Sequence, residues 1–285
     1  PVFEDAMPMT ISITPQQAPS GATIHGVDLR EPLDPETIAE IRAAWLEHQV
    51  VAFPDQPLEI EDIERFALNI GQFGEDPFFD SIPGHPHVAQ VRRDADERTP
   101  IFAESWHSDW SFLPSPPIGT VLHGSVIPPM GGDTLFANQY DAWEALSPDM
   151  QSRLRELRGI HSARRGYAPD GMYGRKDTGR SMAIRYSEEA MKTQTHPVAR
   201  VHPETGRTAL FVNPGYTIGI EDMADDEAQE LLMELFRHQG QEAFVYRHRW
   251  SPDMLLLWDN RCLLHAATGG YDGHDRLLHR ITVAG

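Results

Sequence analysis

The stretch Trp106-His107-Ser108-Asp109-Trp110 contains two side chains that could share a metal ion. His107 and Asp109 are two residues apart, and in an extended segment such residues point to the same face. An imidazole and a carboxylate side by side are two of the three ligands in a facial two-histidine, one-carboxylate iron site. By itself the pair also fits a surface histidine beside a turn or capping aspartate, so a third ligand elsewhere in the chain is required.

The candidate third ligand is His265. It follows an apolar strand, Leu255-Leu256-Leu257, and a polar turn, an order that predicts a position at the mouth of a barrel. Eleven residues later, Arg276 and Arg280 share one face of a predicted strand. Two guanidiniums aimed into a closed barrel carry an uncompensated charge cost, which bound anions would remove. The planar fork of arginine suits a carboxylate because it makes two parallel charge-assisted hydrogen bonds.

Taken together, these motifs give the chain a specific resemblance. It resembles the iron(II)- and 2-oxoglutarate-dependent dioxygenases, and more narrowly their taurine dioxygenase and 2,4-dichlorophenoxyacetate dioxygenase (TauD/TfdA) type. The resemblance covers nearly the whole chain from about residue 26. It depends on Trp106-His107-Ser108-Asp109, Gly131-Gly132-Asp133-Thr134, Leu210-Phe211-Val212-Asn213, Trp258-Asp259-Asn260-Arg261 and Arg276-x-x-x-Arg280.

The resemblance implies roles for particular residues. His107, Asp109 and His265 would hold Fe(II), which 2-oxoglutarate would chelate while O2 takes the last open position. Arg276 and Thr134 would bind the distal carboxylate of 2-oxoglutarate. Arg280 would act near the substrate as the ligand of its anionic group. Because Asp109 leaves no position for a halide, the resemblance implies hydroxylation rather than halogenation.

The sequence departs from the taurine-hydroxylating members at two positions. Where they carry a histidine and an asparagine, ungapped counting gives Asp76 and Ala103. An acid disfavours a nearby sulfonate, so taurine is an unfavourable substrate; Asp76 could instead face an amine or cap a turn. Phe79, Trp110 and Tyr216 are candidate pocket walls for an apolar or aromatic substrate tail, and they also fit plain core aromatics.

Bulk composition restricts the partners of the chain. Its 285 residues include 43 acidic and 24 basic side chains, for a formal net charge of -19, and 40% are hydrophobic. So acidic a chain is unsuited to nucleic acid or an anionic membrane, which need a basic surface. The single Cys262 fits a reducing cytoplasm. No apolar run could span a membrane, and the first five residues lack signal-peptide features.

Periodicity and breakers predict many strands and few helices. Helices are predicted after Asp34-Pro35, over 60–70 before Gly71, from Ser147 to about Leu157, and over 225–238. Strands are predicted at 10–14, 22–29, 50–53, 88–91, 120–127, after Thr134, and at 209–213, 243–249, 254–259 and 276–283. Residues 72–105 are predicted to be mainly loop, with His85-Pro86-His87 as a surface turn. Segment 161–200 is predicted to be a lid or insert, and its 161–192 part is locally basic.

These observations predict one domain over 1–285, mainly β with flanking helices, folded as a double-stranded β-helix (jelly-roll) barrel. The predicted function is a cytoplasmic, homo-oligomeric dioxygenase that hydroxylates a small organic anion next to a heteroatom. Within this class, an aryloxyalkanoate ether cleaver competes with a sulfonate or sulfate ester enzyme. The alternative outside it is a metal-binding jelly-roll protein without turnover, which Arg276 and Thr134 disfavour.

Overall fold

The structure is a computed structural model that describes residues 11–285. Its strands are β1 Ser12–Pro15, β2 Ala22–His25, β3 Val50–Phe53, β4 Ser81–Ile82, β5 His85–Arg93, β6 Gly119–Val126, β7 Thr134–Asn138, β8 Arg158–Ser162, β9 Thr193–Pro197, β10 Ala199–Val201, β11 Thr208–Leu210, β12 Thr217–Ile220, β13 Val245–His248, β14 Met254–Asp259, β15 Leu263–Ala267 and β16 Arg276–Val283. The helices are α1 Pro35–His48, α2 Ile60–Ile70, α3 Gln139–Glu144, α4 Pro148–Arg155, α5 Arg164–Tyr167 and α6 Asp225–Gln239.

The largest sheet contains eight strands in the order β1-β2-β3-β14-β6-β16-β5-β4. Its neighbours are antiparallel except β2 and β3, which are parallel. Strand β16 pairs with β5 on one side and β6 on the other, so both of its edges are hydrogen-bonded. Arg276 and Arg280 are therefore carried by an interior strand, which restricts the movement of their backbone.

Three smaller sheets complete the β structure: β13-β7-β15, β12-β8-β9 and β10-β11. In the first, β7 pairs with both neighbours and places Ala267 opposite Thr134 and His265 opposite Phe136. Two of the predicted site residues, Thr134 and His265, thus lie on adjacent strands. The described chain is mainly β with flanking helices, as predicted.

Helices α1 and α2 pack against the eight-stranded sheet. Trp45 from α1 and Phe66 from α2 join Val51, Leu257 and Ile281 of the sheet in one buried apolar cluster. Asp34 caps α1 by accepting a hydrogen bond from the Thr37 backbone N–H at 2.9 Å. This cap and Pro35 at the start of α1 agree with the sequence prediction.

Several predicted elements are confirmed with small boundary changes. Helices α2, α4 and α6 lie where the periodicity places them, and β14 and β16 have the predicted limits. The predicted strand at 10–14 begins one residue outside the described part of the chain, which shows β1 from Ser12.

Two sequence predictions are wrong in detail. His85-Pro86-His87 is not a turn, because it begins β5, where the pairing with β4 is interrupted by a bulge that tolerates proline. The strand predicted at 209–213 ends at Leu210, because the Asn213 side chain accepts from the Tyr216 N–H and closes a turn instead. Residues 161–200, predicted to be a lid or insert, contain α5, β9 and most of β10.

Within residues 11–285, no helix combines the length and the apolar composition that crossing a membrane requires.

Candidate active site

The backbones of His107 and His265 pair directly. The His107 N–H donates to the His265 carbonyl at 3.1 Å, and the His265 N–H donates to the His107 carbonyl at 2.8 Å. Asp109 Oδ1 lies 3.7 Å from His107 Nε2 and 3.6 Å from His265 Nε2. All three residues are buried, and their ligand atoms lie within 4.8 Å of one another. Residues separated by over 150 positions in sequence thus form one facial group of donors.

The protonation states of these side chains suit a divalent cation. His107 Nδ1 donates to the Ser105 carbonyl at 2.8 Å, which leaves the Nε2 lone pair directed toward Asp109. Burial lowers the pKa of His107 and takes the pKa of His265 to about 3. Burial opposes ionisation of Asp109, but the neighbouring Arg280 guanidinium holds its pKa below the usual range. Two neutral imidazoles and one carboxylate can therefore bind metal without first losing protons.

The second oxygen of Asp109 is held by a chain of hydrogen bonds. Thr120 Oγ1 donates to Asp109 Oδ2 at 2.6 Å and accepts from Asn260 Nδ2 at 2.9 Å. Trp258 Nε1 in turn donates to Asn260 Oδ1 at 2.9 Å. Sequence reasoning missed Thr120 and the roles of Trp258 and Asn260, because only the pairing of β6 with β14 brings them together. Such partners fix the orientation of a metal-ligating carboxylate.

A cleft of about 730 Å³, counted with its open mouth, extends from His107 and His265. Five arginines line it: Arg92, Arg93, Arg180, Arg276 and Arg280. Four of them have a carboxylate within 4 Å: Asp94 for Arg92, Glu97 for Arg93, Asp177 for Arg180, and Asp109 for Arg280. Arg276 has no such partner within the described residues 11–285. Among the cleft arginines, Arg276 is therefore the one whose charge a bound anion would neutralise.

The surroundings of Arg276 fit a carboxylate ligand. Its side chain is buried, which lowers the pKa of the guanidinium, and Nη2 donates to the Gly132 carbonyl at 3.1 Å. Its Nε has no hydrogen-bond partner in the described chain. Thr134 Oγ1 accepts from Trp250 Nε1 at 3.0 Å, so the threonine hydroxyl keeps its own hydrogen for donation. Arg276 and Thr134 line the same cleft as the two histidines.

The glycine motif before Thr134 has a steric explanation. Gly132 has a φ of +70°, and a Cβ added there would lie 3.1 Å from Arg276 Nε. At Gly131, with a φ of +71°, a Cβ would lie 2.4 Å from the Gly270 carbonyl oxygen. Side chains at these positions would press on Arg276 or its supporting loop, so glycine lets the turn approach closely.

Arg280 lies between two carboxylates and above two aromatic rings. Nη1 is 3.2 Å from Asp109 Oδ1, and Nη2 is 3.3 Å from Asp76 Oδ1. The guanidinium carbon is 5.1 Å from the centroids of both the Phe79 and Trp110 rings. Trp110 Nε1 also donates to Asp76 Oδ1 at 2.7 Å. Phe79, Trp110 and Asp76, predicted as substrate contacts, therefore surround Arg280 in this structure.

Tyr216 lies on a second cavity beside the metal ligands. This cavity, of about 550 Å³ with its open mouth, is lined by His107 together with Phe102, Tyr167, Tyr173 and Tyr216. Arg165 supplies a basic group to the same lining. Three of these residues come from segment 161–200, so the predicted lid contributes directly to the surroundings of His107. The sequence did not single out Tyr167 and Tyr173, because that segment has little periodicity.

Another buried cluster of metal-ligand residue types, His202, Asp259 and Cys262, is already hydrogen-bonded. His202 Nε2 pairs with Asp259 Oδ2 at 3.0 Å, and its Nδ1 accepts from the Glu204 and Thr205 backbone N–H groups. Asp259 also accepts from Arg261. Both imidazole nitrogens are thus in use, and the cluster stabilises the turn between β14 and β15.

Similarity to known proteins agrees with this geometry. The family model described as "Taurine catabolism dioxygenase TauD, TfdA family" matches residues 12–282. An alpha-ketoglutarate-dependent 2,4-dichlorophenoxyacetate dioxygenase of Cupriavidus pinatubonensis is 34% identical, over 90% of this chain and 92% of that protein. An (S)-phenoxypropionate/alpha-ketoglutarate-dioxygenase of Sphingobium herbicidovorans is 31% identical, over 98% of this chain and 96% of that protein.

A solved structure that contains bound ligands is also similar to this chain. The crystal structure of AAD-2 in complex with Mn(II) and N-oxalylglycine has a TM-score of 0.78 and 31% identity, over 97% of this chain and 98% of that one. The donors contributed by His107, Asp109 and His265 fit Fe(II). Arg276, which has no carboxylate partner among the described residues, fits a carboxylate of 2-oxoglutarate. The chain belongs to the TauD/TfdA family and is an iron(II)- and 2-oxoglutarate-dependent dioxygenase.

Proposed function

We propose that this dioxygenase hydroxylates a small organic anion at a carbon next to a heteroatom, and forms succinate and CO2 from 2-oxoglutarate. The observation that carries the proposal is the single cleft that is lined both by the metal-donor residues His107 and His265 and by Arg276, the lining arginine without a carboxylate partner among the described residues. A metal-binding protein without turnover would have no use for a buried guanidinium and the Thr134 hydroxyl in the same cleft as the metal donors.

The aromatic cavity favours a substrate with an apolar or aromatic body. Phe102, Tyr167, Tyr173 and Tyr216 offer ring faces and edges beside His107. Rings of this kind pack well against another ring. We therefore prefer an aryloxyalkanoate type of substrate, as in the names of the two relatives, over a sulfonate or sulfate ester. Hydroxylation of the carbon beside an ether oxygen would give a hemiacetal, which breaks down to a phenol and an aldehyde.

The side chains of this protein would have two roles: to bind the co-substrate and to exclude water. Arg276 and Thr134 hold the distal carboxylate of 2-oxoglutarate through charge-assisted hydrogen bonds. Iron and 2-oxoglutarate, when bound, supply the oxidising power for the reaction with O2. Tyr167 and Tyr173 exclude water from the side of His107 where the substrate would lie, which protects a reactive centre from side reactions.

The finer features of the architecture are part of the same proposal. The eight-stranded sheet and the β13-β7-β15 sheet would be the two walls of a jelly-roll barrel, with the metal donors between them. Segment 161–200 would act as its lid, because it places Arg165, Tyr167 and Tyr173 beside His107. One domain, assembly into a homo-oligomer and a cytoplasmic location stay predictions.

Succinate release tests the proposed function. Purified protein with Fe(II), 2-oxoglutarate and ascorbate is supplied with phenoxyacetate, an alkyl sulfate or taurine, and succinate and phenol are measured. We expect phenoxyacetate to stimulate succinate release and to yield phenol. His265→Ala should lose both signals while its circular dichroism spectrum stays that of the wild type. Stimulation by the alkyl sulfate alone would support the sulfate ester alternative, and no stimulation by any of the three would refute the proposed substrate class.

A further inference from the structure

Arg280 has two properties that a simple anion-binding arginine does not combine. Its charge is compensated, because Asp109 lies on one side at 3.2 Å and Asp76 on the other at 3.3 Å. Its hydrogen-bond donors are nevertheless free, since Nε and Nη2 have no aligned acceptor among the described residues. Arg280 is buried and lines the cleft shared by His107 and His265. A group that binds beside Arg280 therefore finds free N–H donors, while the net charge around it is small.

Asp76 is positioned to act on Arg280 from behind. It does not line the cleft of His107 and Arg276, but a separate polar depression with Phe79, Asp80 and Arg185. Burial raises the pKa of Asp76, and the Arg280 guanidinium and the hydrogen bond from Trp110 Nε1 to Asp76 Oδ1 oppose this shift by stabilising the charged carboxylate. Asp76 is thus a counter-ion for Arg280 that lies outside the cleft.

The charges around Arg280 already balance before a substrate binds. Two arginines, Arg276 and Arg280, face two aspartates, Asp76 and Asp109, so these protein charges cancel. A metal dication and the 2-oxoglutarate dianion also cancel each other. The other three arginines of the cleft wall, Arg92, Arg93 and Arg180, are paired with Asp94, Glu97 and Asp177, respectively. A substrate anion at Arg280 would therefore leave an excess negative charge in a buried site, which is unfavourable.

We infer that Asp76 is a specificity-determining residue that makes the Arg280 subsite electrically neutral, so that this subsite accepts an uncharged carbonyl group nearly as well as a carboxylate. The inference deepens the proposed function and rests on it. It widens the substrate class from organic acids to their amides, esters or lactones, which offer acceptor oxygens to Arg280 Nε and Nη2 without a charge. Asp76 acts through Arg280 and is a positioning residue.

The test compares an acid with its uncharged counterpart. Binding of phenoxyacetate and phenoxyacetamide is measured by calorimetry on protein loaded with Mn(II) and N-oxalylglycine, which cannot turn over. We expect the wild type to bind the two compounds within about 10-fold of each other. Asp76→Asn removes the counter-charge but keeps the shape, and it should tighten phenoxyacetate binding by about 10-fold or more with little change for phenoxyacetamide.

Asp80→Asn is the matched control. Asp80 lies four residues further along the same loop, is half-exposed, and pairs with Arg185 at 3.2 Å instead of Arg280. This variant should keep the wild-type ratio of the two dissociation constants, as should Asp76→Glu. Thermal unfolding of each variant establishes that its fold is retained.

Two results would overturn the inference and leave the proposed function intact. One is a wild-type preference for phenoxyacetate over phenoxyacetamide of more than about 100-fold, which needs no folded variant. The other is an Asp76→Asn protein that is folded and has the wild-type ratio. If neither compound binds either protein, the proposed substrate class fails, and the inference fails with it.

Discussion

The hydroxyl of Thr120 offers a sharp test of how the metal carboxylate is oriented. Thr120→Val removes the 2.6 Å hydrogen bond to Asp109 Oδ2 and the acceptor for Asn260 Nδ2, and it changes little in shape. Residue 120 is fully buried, so water cannot replace either bond. Valine also suits the interior of strand β6. The perturbation is therefore confined to the hydrogen-bond chain behind Asp109.

The size of the effect follows from the kind of bond that is lost. A hydrogen bond to a charged group contributes about 1.5–3 kcal/mol, and each 1.4 kcal/mol is about tenfold in affinity. Loss of an outer partner of a metal ligand usually weakens metal binding by about 10–100-fold. The two estimates therefore give the same range for the loss of metal affinity. We expect Thr120→Val to weaken Mn(II) binding about 10–100-fold while the protein stays folded.

Calorimetric titration with Mn(II) measures this affinity in the absence of turnover. Thr120→Ser is the control, because it keeps the donor and acceptor and should retain affinity within about threefold of the wild type. The reasoning would be refuted by a folded Thr120→Val protein with wild-type Mn(II) affinity, since Asp109 would then be oriented without the help of Thr120.

Two further predictions concern the co-substrate and acid stability. Arg276→Gln should raise the 2-oxoglutarate concentration for half-maximal succinate formation by about 30-fold or more, because a desolvated charge-assisted pair contributes on the order of 2–5 kcal/mol; an unchanged requirement would exclude Arg276 as its anchor. Burial lowers the pKa of His161 to about 3 in the folded protein, whereas an unfolded histidine has a pKa of about 6.5. Between these pH values the unfolded chain binds a proton that the folded protein does not, so the free energy of unfolding should fall as the pH drops from about 6.5 toward 3. His161→Phe should reduce the pH dependence of the free energy of unfolding by at most about 1.4 kcal/mol per pH unit, as measured by urea unfolding at pH 7, 5 and 4. An unchanged pH dependence would show that other groups take up the proton.

The three candidate metal donors and the candidate co-substrate arginine were predictable from the sequence. His107 and Asp109 are close in the chain, so the period of two along extended backbone already places them together. His265 could be named because an apolar strand and a polar turn precede it. Arg276 and Arg280 could be assigned to one face of β16 for the same reason of strand period, and the cap at Asp34 is equally local.

The surroundings of these residues were not predictable from the sequence, because they depend on contacts between distant parts of the chain. Asp76 is more than 200 positions from Arg280, and no local pattern connects a loop aspartate to an arginine on the last strand. The hydrogen-bond chain from Asn260 through Thr120 to Asp109 depends on the register between β6 and β14.

The packing of the segment after residue 160 was likewise not predictable from the sequence. Its tyrosines carry no periodic signal, because they are held by contacts with distant rings and not by a repeating element; Tyr167, for example, stacks on Phe78 with ring centroids 4.6 Å apart. Residue type and short-range spacing thus specify which groups do the chemistry. Long-range packing specifies their charge environment and the walls around them, because burial and ion pairing depend on which distant residues the fold brings within a few ångströms.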